Sequence, residues 1–396
     1  MRHRALEDAA VWGLASALAL LAFRRIARQS GELLAGTAHA AAFDLRLRYE
    51  ETHRWFAGSP VYDQMAGADY PPASYGLLWP LIGWLGWPAA RALWLACSLA
   101  ALATLSVIAF RAVKGRSGTR VLAAILPWAA YGTAWTIGVG QLGLVSLAAG
   151  LGGTLLARRT GRKALAGLLF ALSLVKPTLT APFFWLLLAT SPVSGFVAVV
   201  AYGVVTLAAS AFQPGPLTQV LTGWIDNGHL HVARGYGNVA DWASALGHPG
   251  WGLPLAFAML AALGVWVLRH RHTDVWILLG VSAFVARFFT YHYHPDDLLM
   301  IVPMIALLRL ASDESIPSGV RRASAAVFTL AAFAQLVPTR YFTDFGARVA
   351  GAAEGLQVAV WLAAVSVLVW AAGRVPATLL RSPDDSGNVG RLFPVP

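Results

Sequence analysis

Residues 89–113 read AARALWLACSLAALATLSVIAFRAV, an apolar run with arginine only near its two ends. A helix needs roughly 20 apolar residues to cross a bilayer, so this run predicts a membrane-spanning helix. Runs of the same kind recur along the chain, and hydrophobic residues make up 57% of it against 12% for charged ones. This composition excludes a soluble globular domain and predicts an integral membrane protein.

The other apolar segments are 9–23, 73–87, 121–138, 143–157, 164–175, 178–190, 195–212, 251–268, 274–290, 297–310, 322–337 and 353–373. They are continuous rather than alternating, which favours helices over barrel strands. The sequence therefore predicts an all-α, polytopic transmembrane fold with about 11–13 membrane segments, including short half-spans, and with loops on the outer face. Residues 1–374 would form one membrane domain that begins with an uncleaved span, and residues 375–396 a disordered cytoplasmic tail.

Basic residues form short clusters between these segments, at 114–120, 158–163, 269–272 and 321–322. The positive-inside rule assigns such clusters to the cytoplasm, and we prefer this interpretation of the net charge of +11 to a nucleic-acid patch. The polar loops between the other segment ends then lie outside. Segment 73–87 fits this count only if it enters the membrane and returns, because 9–23 also ends outside.

The polar stretch Phe43–Glu50, which reads FDLRLRYE, follows the first span and carries several of the few charges of the chain. Charged groups near a membrane are costly and indicate a functional site by default. Asp44 has two interpretations that the sequence leaves open. It is either a general base for a substrate hydroxyl or the N-cap of a helix that starts there.

Lys176 and Pro177 interrupt two short apolar segments. A lysine in this setting either binds a phosphate as a compact point charge or extends to the membrane surface. We favour phosphate binding, because Pro177 breaks the helix and opens space for a polar pocket.

The run Tyr291–Asp297, which reads YHYHPDD, has three interpretations. It is compatible with a divalent metal site, with a phosphate or sugar site, or with an interfacial aromatic belt that ends in a helix-capping Asp. Loop 213–250, with Trp242, combines aromatic rings with hydrogen-bonding groups, as carbohydrate sites do, but an ordinary exposed loop has the same composition. Phosphate-loop and dinucleotide motifs are lacking, so an activated donor would have to come from the bilayer.

These motifs together resemble the GT-C glycosyltransferases, most of all glycosyltransferase family 87. The resembling pieces, in order, are Asp44, Gly58–Tyr62, Tyr70–Pro72, Gly140–Gln141, Lys176–Pro177, Thr290–His292 and Asp296–Leu299.

The resemblance implies an inverting transfer of a sugar from a polyprenyl-phosphate donor to a glycolipid or glycan acceptor, at the outer face of the inner membrane. It implies neither a cofactor nor a metal ion, and no nucleic-acid partner. Mannose is the first choice of sugar and arabinofuranose the close alternative. A polytopic transporter or flippase is the alternative from another class.

The resemblance assigns roles to Asp44, Lys176 and His292, and other polar and aromatic residues of the same loops complete the expected site. Asp44 would deprotonate the acceptor, and Lys176 would contact the donor phosphate with His292 as second catalytic residue. Arg46 and Arg48 would also serve the phosphate. The expected substrate-binding residues are Tyr62, Tyr70, Gln141, Trp242, His294 and Asp297, with His294 as an alternative to His292.

Overall fold

The computed structural model describes residues 2–36, 41–65, 67–159, 161–232, 237–337 and 339–375. For residues 2–8, 229–232 and 340 it describes the backbone alone. The α-helices are α1 (Arg2–Ala35), α2 (Phe43–Phe56), α3 (Val61–Gln64), α4 (Pro72–Leu78), α5 (Trp87–Ala112), α6 (Ser117–Ala129), α7 (Tyr131–Val139), α8 (Gly143–Leu156), α9 (Lys163–Ser173), α10 (Pro177–Thr180), α11 (Phe184–Thr190), α12 (Pro192–Ser210), α13 (Leu217–Val232), α14 (Val239–Ala245), α15 (Gly252–Arg269), α16 (Val275–Phe288), α17 (Ile301–Ser312), α18 (Ser318–Leu336) and α19 (Ala347–Ala372). Shorter 3-10 or π-helical segments are Trp79–Gly83, Ala181–Phe183, Pro249–Trp251, His294–Met300 and Thr339–Phe345. These ranges contain no strand, which confirms the all-α fold. The predicted tail lies outside the described residues, except for Val375.

Helices α16 and α17 form the centre of the molecule. Every residue from Trp276 to Phe288 is buried, and so is every residue from Ile301 to Leu310. A helix that is apolar on all sides must be surrounded by other helices, and here the neighbours of α16 include α15, α17 and α19. The segment His294–Met300 lies between these two central helices, and its residues from Pro295 to Met300 are buried.

Five described segments are long and apolar enough to cross a membrane, namely Ala9–Ala35, Trp87–Ala112, Pro192–Ser210, Pro249–Arg269 and Ala347–Ala372. Helices α6 and α7, which meet at a bend of 40°, make a sixth if counted as one broken span. Other apolar segments form shorter helices, such as α8, α9 and α16. The protein is therefore a polytopic membrane protein, with fewer full-length candidate spans than the predicted 11–13 segments.

The first span is longer than predicted. The apolar run 9–23 continues through Arg24 and Arg25, and α1 ends only at Ala35. The guanidinium of Arg25 donates hydrogen bonds to the carbonyl oxygens of Ala129 (3.2 Å) and Leu336 (2.9 Å). Because distant backbone carbonyls satisfy this arginine, the charge does not end the helix.

Segment 73–87 has both of its ends beside α2. Near its start, the Tyr75 hydroxyl donates to Glu51, and near its end the Leu85 carbonyl accepts from the Tyr49 hydroxyl at 2.9 Å. In between, α4 gives way to the π-helical turn Trp79–Gly83. The segment therefore leaves α2 and returns to it, which is the path of a segment that enters and returns.

Two ion pairs lie at one end of the helix bundle. The Lys114 ammonium lies 3.2 Å from the Asp313 carboxylate, and the guanidinium of Arg309 lies 2.9 Å from Asp274. These residues belong to or lie next to the basic clusters at 114–120 and 269–272, and we call this end of α5 the basic end. At the other end of α5, Arg91 donates to the carbonyl of Leu33, which packs in one buried cluster with the chain neighbours of Asp44, Gln141 and Lys176, namely Leu45, Leu142 and Val175. We call this the site end.

Candidate active site

Helix α2 carries Asp44 in its first turn. Its N-cap residue is Ala42, without a side-chain capping bond, so Asp44 is not the N-cap considered from the sequence. Ala42 has φ 57°, a left-handed conformation that is uncommon outside glycine, and its N–H donates to Gly138 O at 2.9 Å. The start of α2 is thereby fixed to the end of α7.

Glycine at position 140 allows this close approach. Gly140 ends α7 with φ 71°, and a Cβ placed there would lie only 2.5 Å from the Cβ of Leu45 on α2. The next residue, Gln141, is buried, and its side chain lies near enough to the Asp44 carboxylate to lower the pKa of that carboxyl group. A tight contact between α2 and α7 therefore places the predicted base beside a predicted substrate-binding residue.

The half-buried Asp44 carboxylate lies among charged groups. Burial raises its pKa, and the opposing effects of Lys176, Arg48 and Gln141 do not offset that increase. Asp296 also lies close enough to raise it. A carboxylate with a raised pKa is a stronger base than an exposed aspartate.

Lys176 is the N-cap residue of α10, at the break between α9 and α10 that Pro177 creates. Its ammonium lies 2.5 Å from Asp296 Oδ1, and both side chains are buried. Burial alone would raise the pKa of Asp296, but Lys176 and His292 hold it below its ordinary value. Asp296 is therefore ionised, and the Lys176 side chain that it holds lies within electrostatic range of Asp44.

His292 is fully buried and is held by protein groups at both ring nitrogens. Nε2 donates to the carbonyl oxygen of Ala286 at 2.7 Å, and Nδ1 lies 2.9 Å from Asp296 Oδ2. Both partners are hydrogen-bond acceptors, so His292 donates to both only as an imidazolium, which the Asp296 carboxylate favours and burial opposes. The histidine thus contacts the second oxygen of the carboxylate that holds Lys176, and orients that carboxylate.

The two predicted arginines of α2 lie on different faces of the helix. The side chain of Arg46 is 70% exposed and pairs with Glu50 on the same helix at 2.9 Å. Arg48 is buried, pairs with Glu51 (2.9 Å) and Asp69 (3.2 Å), and its guanidinium lies 4.2 Å from the ring centroid of Tyr70. Arg48 therefore already has two carboxylate partners, whereas no contact links Arg46 to Lys176.

Tyr62 and Tyr70 support the same region. The Tyr62 hydroxyl donates to the carbonyl of Tyr70 at 2.6 Å, and its ring packs edge-on against Trp55 at 5.3 Å. Tyr291 donates to the second oxygen of Asp69. These bonds fix the loop before α4 against α2 and the end of α16.

Trp242 and His294 pack against other aromatic rings. The ring of Trp242 packs on Phe288 at 5.3 Å, and His294 is half-buried with its ring 5.5 Å from that of Trp135.

Asp297, expected to bind substrate, is fully buried in a second network. Its Oδ1 accepts from Arg287 Nε at 2.7 Å, and its Oδ2 accepts from the Tyr131 hydroxyl. Gln357 Nε2 donates to the Tyr131 hydroxyl at 3.2 Å and reaches Asp297 at 3.5 Å. Both carboxylate oxygens are thus bonded within the protein.

Several of these partners were not selected from the sequence, chiefly Asp69, Arg287, Tyr131 and Asp296. Only Asp296 had a local signal, its place in the motif with His292, because the others find their partners far along the chain. Among the described residues, no group of three or more His, Cys, Asp or Glu side chains is arranged to hold a metal ion.

The family model of glycosyltransferase family 87 matches residues 69–312, more than half of the chain. No curated protein and no solved structure gives a significant match. The matched region contains Lys176, His292 and Asp296 but begins after Asp44.

Proposed function

Because the chain belongs to glycosyltransferase family 87 and is a membrane glycosyltransferase, we propose that its donor is a polyprenyl-phosphate sugar and that the reaction inverts the anomeric centre. The observation that carries this proposal is the grouping of Asp44 with Lys176 and Asp296 at one end of the bundle. An anionic base and a buried cation near each other are the two groups that such a transfer requires.

The proposed chemistry has one step. The acceptor oxygen attacks the anomeric carbon while Asp44 takes the hydroxyl proton. The bond from the anomeric carbon to the phosphate oxygen breaks, and its electron pair leaves with the polyprenyl phosphate. Lys176 stabilises the negative charge that develops there.

Asp296 and His292 have positioning roles in this proposal. Asp296 holds the Lys176 ammonium, and His292 holds Asp296 by its second oxygen. A lysine already held in place loses little freedom when the donor phosphate binds, and little reorganisation is then needed during transfer. Arg48 is a support for the loop before α4, since two carboxylates already engage it.

Orientation in the membrane is also part of the proposal. We assign the basic end to the cytoplasm and the site end to the outer face of the inner membrane, because basic helix ends are retained on the cytoplasmic side. The acceptor is then a glycolipid or glycan on that face. Mannose is the proposed sugar, with arabinofuranose as the alternative.

The test is an incubation of the detergent-purified protein with radiolabelled polyprenyl-phospho-mannose, or the arabinofuranose analogue, and lipid acceptors. Mass spectrometry of a glycosylated product would support the proposal. A flippase is the competing function. It would form no product with either donor but would move a fluorescent lipid phosphate between leaflets of reconstituted liposomes, and that result would overturn the proposal.

A further inference from the structure

Two adjacent aspartates in the segment His294–Met300 belong to different buried networks. Asp296 pairs with Lys176 and His292, whereas Asp297 pairs with Arg287 and Tyr131. The two aspartates are consecutive residues of one short 3-10 segment, so the backbone joins the two networks directly. The proposed mechanism does not use the second network.

Both networks form hydrogen bonds with the same turn of α16. The carbonyl of Ala286 accepts from His292, and the side chain of the next residue, Arg287, donates to Asp297. Arg287 and Asp297 are both 0% exposed, so water cannot replace either partner. The end of α16 thereby fixes the segment that carries Asp296 from two sides.

Helix α7 fixes the same segment from another side and also reaches Asp44. The Thr136 hydroxyl donates to Pro295 O at 3.1 Å, and a Cβ at Gly132 would lie 3.1 Å from the amide nitrogen of Leu298. Near the C-terminal end of α7, the carbonyl oxygen of Gly138 accepts a hydrogen bond from the N–H of Ala42. Helix α7, which is nine residues long, therefore contacts both the segment that contains Asp296 and the start of α2.

We propose that the Arg287–Asp297–Tyr131 network is the device that sets the position of Lys176 relative to Asp44. It locks α7, α16 and the segment His294–Met300 into one rigid unit, and Gln357 ties α19 to that unit. Asp297 is then a positioning residue that acts through Asp296, and it does not contact substrate. This proposal refines the function proposed above, but its first test needs no substrate.

The test measures how fast an amine-acetylating reagent modifies Lys176 in the purified full-length protein, by mass spectrometry. Lys176 is 7% exposed and ion-paired, so it reacts slowly, whereas the Lys114 side chain, 32% exposed, serves as internal reference. In Asp297→Asn, Arg287 loses its buried counter-charge, and we expect labelling of Lys176 to rise about tenfold relative to Lys114.

Asp274→Asn is the matched control, because it breaks another buried Arg–Asp pair, with Arg309 at the basic end. It should lower thermal stability without changing the labelling of Lys176. The double variant Arg287→Met with Asp297→Asn removes both charges and should bring labelling back to within about threefold of wild type. Tyr131→Phe removes one hydroxyl only and gives a smaller rise, which keeps the test valid if Asp297→Asn does not fold.

A second measurement separates this proposal from the proposed function. If the wild type transfers sugar, Asp297→Asn should raise KM for the donor, and the double variant should restore it. If the wild-type protein has no transfer activity, that result contradicts the proposed function. The labelling result then still decides whether Asp297 positions Lys176. Lys176 labelling that stays at the wild-type rate in folded Asp297→Asn or Tyr131→Phe protein, or a double variant without rescue, would overturn the positioning role.

Discussion

The Lys176 ammonium lies 2.5 Å from Asp296 Oδ1, although 120 residues separate them along the chain. His292 contacts the other oxygen of the same carboxylate at 2.9 Å. The pair is buried, so each charge depends on the other for its stability. This relationship fixes a cation at the site end of the bundle, next to a carboxylate of raised pKa at Asp44.

Replacement of Lys176 should strongly impair the use of donor. Lys176→Met removes the cation that faces the leaving phosphate, and we expect kcat/KM for the lipid donor to fall by about 10²-fold or more. The matched control is Lys114→Met, which breaks the bridge to Asp313 at the basic end and should change kcat/KM by no more than about threefold. Equal losses in both variants would argue against a role in donor binding.

The acid side of the pH–rate profile should report on Asp44. A base works only when deprotonated, so activity is lost as the pH falls through the pKa of Asp44, which burial raises. Gln141 lowers that pKa, so Gln141→Met should raise it and shift the acid limb of kcat/KM to higher pH. Gln64→Met, at an exposed position of α3, is the control and should not shift it. An unshifted limb in Gln141→Met would contradict this assignment.

Glycine at position 140 should be essential to the position of α2. Gly140→Ala places a Cβ 2.5 Å from that of Leu45 at a residue with φ 71°, and should displace α2 and its Asp44. The matched control Gly161→Ala has a similar φ of 80° but no atom within 4 Å of the added Cβ. Both should lose roughly 1–2 kcal/mol through backbone strain, and only Gly140→Ala should lose more than about tenfold in activity.

Sequence patterns were sufficient for some of these features. Long apolar runs gave the membrane spans, and the break at Lys176–Pro177 lies between two helices as the proline implied. The sequence leaves open whether a helix starts at Asp44 in the polar stretch after the first span, and residues 43–56 do form a helix, which buries Leu45, Arg48, Thr52 and Trp55. That spacing of three or four residues is a helical signal, and it would have separated buried Arg48 from exposed Arg46.

Other contacts had no local signal. Helix α1 continues past Arg25 because this side chain donates hydrogen bonds to the carbonyl oxygens of Ala129 and Leu336. These two residues lie 104 and 311 positions away in the sequence. Asp297 is expected to bind substrate, and its described partners Arg287 and Tyr131 come from two other helices. Pairings of this kind depend on how the helices pack, which a single sequence does not encode locally.

Stability should depend on the protonation of Glu51. Its carboxylate is fully buried, and burial raises its pKa to about 7 in spite of Arg48. Because the pKa is higher in the folded than in the unfolded chain, the stability that Glu51 contributes is complete below pH 4.5 and is lost as the pH rises to about 7. This change in the pKa of Glu51 corresponds to a decrease in the free energy of unfolding on the order of 3 kcal/mol between the two ends of the pH range.

Thermal unfolding in detergent at pH 5 and pH 8 tests this dependence. Glu51→Gln cannot ionise, so its melting temperature should fall less between the two pH values than that of the wild type. The exposed neighbour Glu50→Gln is the control and should behave as the wild type. The same pH dependence in Glu51→Gln and wild type would show that Glu51 does not titrate in this range.

The most direct test of the account is single-turnover sugar transfer by Asp44→Asn, with the lipid-phosphate donor that the wild type uses. Loss of the base should slow transfer by about 10²- to 10⁴-fold while the affinity for the donor stays within about threefold, because Lys176 and Asp296 are untouched. Glu50→Gln, an exposed carboxylate of the same helix, should transfer at the wild-type rate. A wild-type transfer rate in Asp44→Asn would contradict the central claim that Asp44 is the base.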